Sequence, residues 1–153
     1  MDLEEIEAIR RLKYAYFRLL DTKQFVELGA LLTEDVTTAF QSGELAFTGR
    51  EAVVGFLTES LGGPTIITLH NGHHPEITLT GPDAAVGTWY LEDRVIVPEH
   101  DYEIWGTAIY DDAYAKVDGA WKIRHTGYER IFEEHRRRST GEIVTFSSRF
   151  GES

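Results

Sequence analysis

The chain of 153 residues contains no cysteine, four prolines and one methionine. Without a thiol there is no disulfide, no thiolate metal site and no cysteine nucleophile. Basic residues are scarce too: 15 Lys and Arg stand against 26 Asp and Glu, a formal charge of −11. So acidic a surface repels nucleic acid and anionic lipid. The basic run "HRRR" at 135–138 follows Glu133-Glu134 and reads as a solvated strand end. No apolar run approaches the roughly 20 residues needed to cross a bilayer. The opening "MDLEEIEAIRRL" is too acidic for a signal peptide. No nucleic-acid or membrane partner is expected, and a cytoplasmic protein is the simplest reading.

What is present suits a folded domain. Hydrophobic residues make up 42% of the chain and charged ones 27%, ordinary proportions for a globular protein. No linker or repeat divides the chain, so one domain is expected over 1–135, followed by a polar C-terminal tail over 136–153. A short edge strand at Ile143–Phe146 fits within that tail.

The first third reads as helical. Ile6, Ile9, Leu12, Tyr16 and Leu20 recur every three or four residues and form an amphipathic stripe. Asp2 and Glu5 have the spacing of a weak capping box. A second helix is expected over "QFVELGALL", ending near Thr33, then a hairpin turning at Ser42-Gly43, then a helix over "GREAVVGFLTESL". From Thr65 the chain turns to strands rich in β-branched and aromatic residues. Turn signals stand at Asn71-Gly72, Gly81-Pro82-Asp83, Pro98–Asp101 and Asp118-Gly119. Helices first and strands afterwards indicate an α+β fold, with helices on one face of a curved antiparallel sheet that encloses a pocket.

Polar residues on apolar faces are the candidates for chemistry. In "AAVGTWYLEDRVIV" alternation puts Asp93 on the same face as Trp89, Leu91 and Val95, its only charge. A buried carboxylate is costly without a partner, so Asp93 is either functional or a strand-end cap. The even positions of "AWKIRHTGYERIF" bring Lys122, Arg124, Thr126, Tyr128, Arg130 and Phe132 to one face, suited to solvent or to a polar pocket wall. Arg130 could hold an anionic group bidentately or form an exposed salt bridge. Tyr16 is core filler or a pocket donor, and Asp21 starts a turn or reaches the site. His70, His73 and His74 lie within five residues, but on a strand-like run rather than a helix, so they do not converge as metal ligands and no metal is expected. A histidine oriented by a carboxylate can serve as a general base without a cofactor.

The stretches "IRRLKYAYFRLLDTKQFVELGALLTEDV", "GREAVVGFL", "HNGHHPEITL", "AAVGTWYLED" and "YAKVDGAWKIRHTGYERI" resemble the SnoaL-like family. That family belongs to the superfamily of nuclear transport factor 2, scytalone dehydratase and ketosteroid isomerase. Within it, "LKYAYFRLLD", "GHHPEIT", "WYLEDR" and "DGAWKIRHTGYERIFEEH" are most similar to the bile-acid 7-alpha-dehydratases. The resemblance implies a cone-shaped, cystatin-like α+β barrel, a homotrimer and no cofactor. It implies a lyase that removes water from a hydroxylated 3-oxo steroid or bile-acid-like substrate, either free or as a coenzyme A conjugate. The catalytic residues it implies are Tyr16, Asp21, His70 and Asp93, with Arg130 as a further site residue; His73, Phe40, Trp89 and Tyr128 are the other candidates for the pocket wall. Phe40 departs from the pattern, standing where a tyrosine is expected. An isomerase, a polyketide cyclase or a dehydrochlorinase on the same Asp-His pair, or a non-catalytic binding module, are the alternatives.

Overall fold

A computed structural model describes residues 2–151 of the chain. Three helices come early: α1 (Leu3–Asp21), α2 (Phe25–Gly29) and α3 (Arg50–Leu61). Between α2 and α3 lies the hairpin β1 (Leu32–Phe40) and β2 (Leu45–Thr48). Five strands follow: β3 (Ile67–Gly81), β4 (Ala84–Val97), β5 (Tyr102–Val117), β6 (Ala120–Arg137) and β7 (Ile143–Ser148). The seven strands form one sheet in the order β2-β1-β6-β5-β4-β3, with β7 also on β6. All pairs are antiparallel except β1 with β6. The fold is therefore α+β, as expected, and β6 is its spine: β1 pairs with its first half and β7 with its last.

Register shifts at His73/Glu76 in β3, and at Thr107/Ala108 and Ala113/Tyr114 between β5 and β6, bend the sheet around the helices. The stripe of α1 buries Ile9, Leu12, Tyr16, Phe17 and Leu20 against the concave face. Leu32, Val36, Trp89, Leu91, Tyr110, Tyr114 and Ile123 join them in one continuous core. No helix among the described residues is long and apolar enough to cross a membrane.

Several local expectations are corrected. Asp2 makes no side-chain cap. Its proposed partner Glu5 instead binds Lys116 Nζ at 2.9 Å and accepts from the Trp121 indole N–H, tying α1 to the end of the sheet. The second helix stops at Gly29, because Leu31 and Leu32 are drawn into the sheet, where Ile123 N–H donates to the Leu31 carbonyl at 2.8 Å. Asn71-Gly72 is no turn, since β3 runs unbroken through it. Gly72 is needed for room: a Cβ there would fall 2.2 Å from the Phe17 ring of α1. The tail boundary at 135 falls inside β6, and the edge strand reaches Ser148.

Candidate active site

Between the helices and the concave face of the sheet lies a cavity of about 330 Å³, walled by Leu20, Phe40, Phe56, Leu57, Tyr110 and Tyr128, with His70, Asp93, Arg130, Gln41 and Glu133 among the polar lining. That volume lies at the small end of the roughly 300–1,000 Å³ usual for ligand pockets. Three elements deliver the chemistry. The end of α1 carries Tyr16 and Asp21. On β3 and β4, His70 and Asp93 are direct cross-strand partners, so both point to the concave face. On β6, Tyr128 and Arg130 face inward.

His70 Nδ1 lies 2.6 Å from Asp21 Oδ1. Asp21 Oδ2 accepts the backbone N–H of His70 at 2.9 Å, and Thr68 Oγ1 donates to Oδ1 at 2.9 Å. Three donors thus fix one carboxylate. With Asp21 as acceptor, the proton of a neutral His70 sits on Nδ1 and Nε2 is left as the basic nitrogen. The His70 side chain is only 10% exposed and lines the cavity.

Arg130 is fully engaged within the protein. Its Nη1 and Nη2 grip Asp93 Oδ1 and Oδ2 at 2.5 and 3.0 Å, and its Nε donates to Gln41 Oε1 at 2.9 Å. This fork-on-carboxylate geometry belongs to an ionised aspartate. Burial pulls the Arg130 pKa down, but the hydrogen bonds and charge of Asp93, aided by Tyr128 and Glu133, outweigh it and hold the guanidinium charged. Gly106 makes room for the pair, since a Cβ there would lie 2.8 Å from Nη1. Of the two readings of Arg130, the salt bridge is the one formed here, to Asp93, and it is buried rather than exposed.

Tyr16, Tyr110 and Tyr128 ring the cavity. Burial, the largest influence, keeps the Tyr16 and Tyr110 hydroxyls well above the ordinary 10.0, reinforced by the Asp112 charge. Tyr128 is pushed up to about 12, again chiefly by burial. All three are protonated at neutral pH. The Tyr128 hydroxyl donates to Gln41 Oε1 at 3.1 Å, so its proton is already committed. Behind the tyrosines, Lys13 is wholly buried, paired with Asp112 Oδ2 at 2.9 Å and 3.8 Å from the centre of the Tyr110 ring. Burial lowers the Lys13 pKa and Asp112 works against that shift.

Of the residues singled out from sequence, Tyr16, Asp21, His70, Asp93, Arg130, Phe40 and Tyr128 meet at this cavity. Phe40 stacks between Phe56 and Tyr128, an apolar wall in place of the expected hydroxyl. His73 and Trp89 do not meet it. His73 is exposed beside His74 on the outer surface, because alternation from His70 turns it outward before the irregularity that leaves His74 at φ 51. Trp89 points inward but sits behind the cavity, 1% exposed, donating to the Tyr114 hydroxyl at 3.0 Å. Lys122 and Arg124 also leave the β6 face assigned to them, since the irregularity opposite Ala113/Tyr114 shifts the alternation and buries Trp121 and Ile123 instead. Among the described residues no group of three or more His, Asp or Glu is placed to hold a metal ion.

Sequence reading missed Tyr110, Gln41, Glu133 and the Lys13–Asp112 pair. Asp112 was detectable as the one charge on the alternating inner face Ala108, Tyr110, Asp112, Tyr114, and Lys13 as the one charge in the stripe between Ile9 and Tyr16. Gln41 and Glu133 gave no such signal. The first depends on a turn residue at φ 51, the second on the irregularity between Arg130 and Phe132 that puts Arg130 and Glu133 on one face.

Residues 1–127 match the model of the SnoaL-like domain, and the chain belongs to that family. Solved structures share the whole fold. A protein provisionally named a scytalone dehydratase, from Novosphingobium aromaticivorans DSM 12444, superposes with a TM-score of 0.81 at 24% identity, covering 99% of this chain and 97% of its own. The hexachlorocyclohexane dehydrochlorinase LinA-type3 of Novosphingobium barchaimii LL02 gives 0.73 at 18% identity, covering 97% and 92%. A nuclear transport factor 2-like protein with a cystatin-like fold, also from N. aromaticivorans, gives 0.70 at 19%, covering 84% and 83%.

Proposed function

We propose that the protein is a carbon–oxygen lyase that eliminates water from a hydroxylated carbonyl compound. The contact of His70 Nδ1 with Asp21 inside an apolar cavity carries this reading. Nε2 of His70 takes a proton from the carbon activated by the carbonyl, and Asp21 stabilises the imidazolium that forms. Tyr16, buried, protonated and itself accepting a hydrogen bond from Tyr110, donates to the oxygen that becomes an enolate. The enolate then expels the hydroxyl group, which takes its proton from the His70 imidazolium and departs as water. Atoms and charge return to their starting state, and no electrons are exchanged. Asp93 is not the acid in this scheme, because Arg130 holds it as a carboxylate.

The similarity to a protein named for scytalone dehydratase agrees with water elimination. The similarity to a dehydrochlorinase supports a second reading, in which the same base removes a proton and chloride leaves without protonation. A hydroxylated 3-oxo steroid is the finer substrate proposal and rests on the resemblance to bile-acid dehydratases. The test is incubation with 7-hydroxy-3-oxo-Δ4 steroids and smaller β-hydroxy ketones, watching for absorbance of the extended dienone from the former and the enone from the latter. Chloride release from hexachlorocyclohexane with no enone would favour the second reading.

We also propose a homotrimer assembled through the outer sheet face. Leu69, Arg94, Trp105, Glu134 and Phe146 form a cross-strand row there, with Leu69 43% and Phe146 39% exposed. Sedimentation at the trimer mass supports this, and a monomer contradicts it.

A further inference from the structure

Glu133 lines the cavity beside Arg130, yet its side chain, 16% exposed, is poorly bonded. Gln41 Nε2 approaches Oε1 at 3.3 Å, Arg130 Nη2 at 3.6 Å, and His135 Nε2 approaches Oε2 at 3.5 Å. Strong hydrogen bonds to a carboxylate run about 2.7–2.9 Å, so none of these saturates it. Arg130 cannot come closer, because Asp93 holds both its prongs. Gln41 is held in place by accepting from Tyr128 and Arg130, and its own backbone sits at φ 51, a conformation uncommon outside glycine. At the cavity, Asp93 and Glu133 share the guanidinium of Arg130, while the carboxylate of Asp21 is taken by His70. The Lys13–Asp112 pair behind the tyrosines is balanced within itself.

We propose that Glu133 is a substrate-recognition residue that accepts a hydrogen bond from a second hydroxyl group of the ligand, and that the cavity selects uncharged ligands over anions. A carboxylate with three distant partners in a partly desolvated wall gains most from a ligand O–H. A ligand carboxylate or phosphate would meet the like charge of Glu133 beside an Arg130 already paired with Asp93, at the low effective dielectric of an apolar cavity. The substrate class is thus a neutral carbonyl compound with two hydroxyl groups: one is eliminated near His70 and one is retained against Glu133. Coenzyme A conjugates and free acids whose charge enters the cavity are excluded. The inference rests on the cavity being the substrate site.

The experiment is calorimetric titration at neutral pH with 2-naphthol, 2,7-dihydroxynaphthalene and 6-hydroxy-2-naphthoate as probes of one skeleton. The expected order has the diphenol binding about tenfold tighter than 2-naphthol, as a hydrogen bond to a charged acceptor provides. The naphthoate should bind at least about tenfold more weakly than the diphenol. Glu133→Gln should compress the first ratio to about threefold or less and strengthen the naphthoate. Glu133→Asp keeps the charge but withdraws it, so it should lose the diphenol preference while still rejecting the naphthoate; it also serves if Glu133→Gln fails to fold. Naphthoate binding as tightly as the diphenol, ratios unchanged in both variants, or no binding of either phenol would each overturn the proposal. These ratios require no turnover. Absence of elimination activity would remove the lyase reading and leave them standing.

Discussion

Asp21 and His70 touch twice: Oδ1 lies 2.6 Å from Nδ1, and Oδ2 accepts the His70 backbone N–H at 2.9 Å. The carboxylate therefore fixes both the ring and the strand that carries it. Asp21→Asn keeps the size but offers an amide N–H or a weaker acceptor to Nδ1, which loses the tautomer that leaves Nε2 basic. Turnover should fall by about 10³-fold or more, with an unchanged circular dichroism spectrum. A drop of less than tenfold would remove Asp21 from the mechanism.

Tyr16 and Tyr110 stay protonated donors because burial raises both hydroxyls above 10.0. A raised pKa keeps the donor form as pH climbs and surrenders it only above the raised value. The rate should show no tyrosine-dependent loss up to pH 10. Tyr16→Phe should lower kcat by about 10²-fold, the usual scale for one oxyanion donor. Steady-state rates across the pH range check both points.

Lys13 and Asp112 are both buried and face each other at 2.9 Å, with Asp112 Oδ1 lacking any partner among the described residues. Lys13→Met leaves that carboxylate uncompensated and should destabilise the fold by about 3–5 kcal/mol. Pairing it with Asp112→Asn should recover most of the loss, because a neutral amide needs no cation. Urea denaturation of the two single variants and the double variant measures the coupling.

Gly72 allows the Phe17 ring to lie directly on β3, 2.2 Å from where a Cβ would stand. Gly72→Ala should cost about 1–3 kcal/mol by overpacking. Since α1 also carries Asp21, the displacement should slow turnover as well. Thermal denaturation and kcat together test this. Full stability with full activity would show that α1 shifts freely on the sheet.

Much of this architecture was legible in the sequence because it depends on periodicity. The α1 stripe and the alternation in β4 placed Tyr16 and Asp93 correctly, and the order of helices and strands defined the α+β class. What escaped depends on register. Asn71-Gly72 has the composition of a turn, yet Gly72 serves helix–sheet contact, which only tertiary packing reveals. Strand alternation fails wherever a bulge resets it, as in β6, where Lys122 and Arg124 part from Thr126, Tyr128 and Arg130. Sequence also could not show that Arg130 is consumed by Asp93, since the two lie 37 residues apart and meet only across the sheet.

The central claim is that His70 removes a carbon-bound proton to start the elimination. Dienone formation from a 7-hydroxy-3-oxo-Δ4 steroid, or enone formation from a β-hydroxy ketone, turned over by the wild type should be compared with His70→Ala under saturating substrate. The account predicts a loss of about 10³-fold or more in the variant, with its fold intact. Full elimination activity in His70→Ala would contradict it.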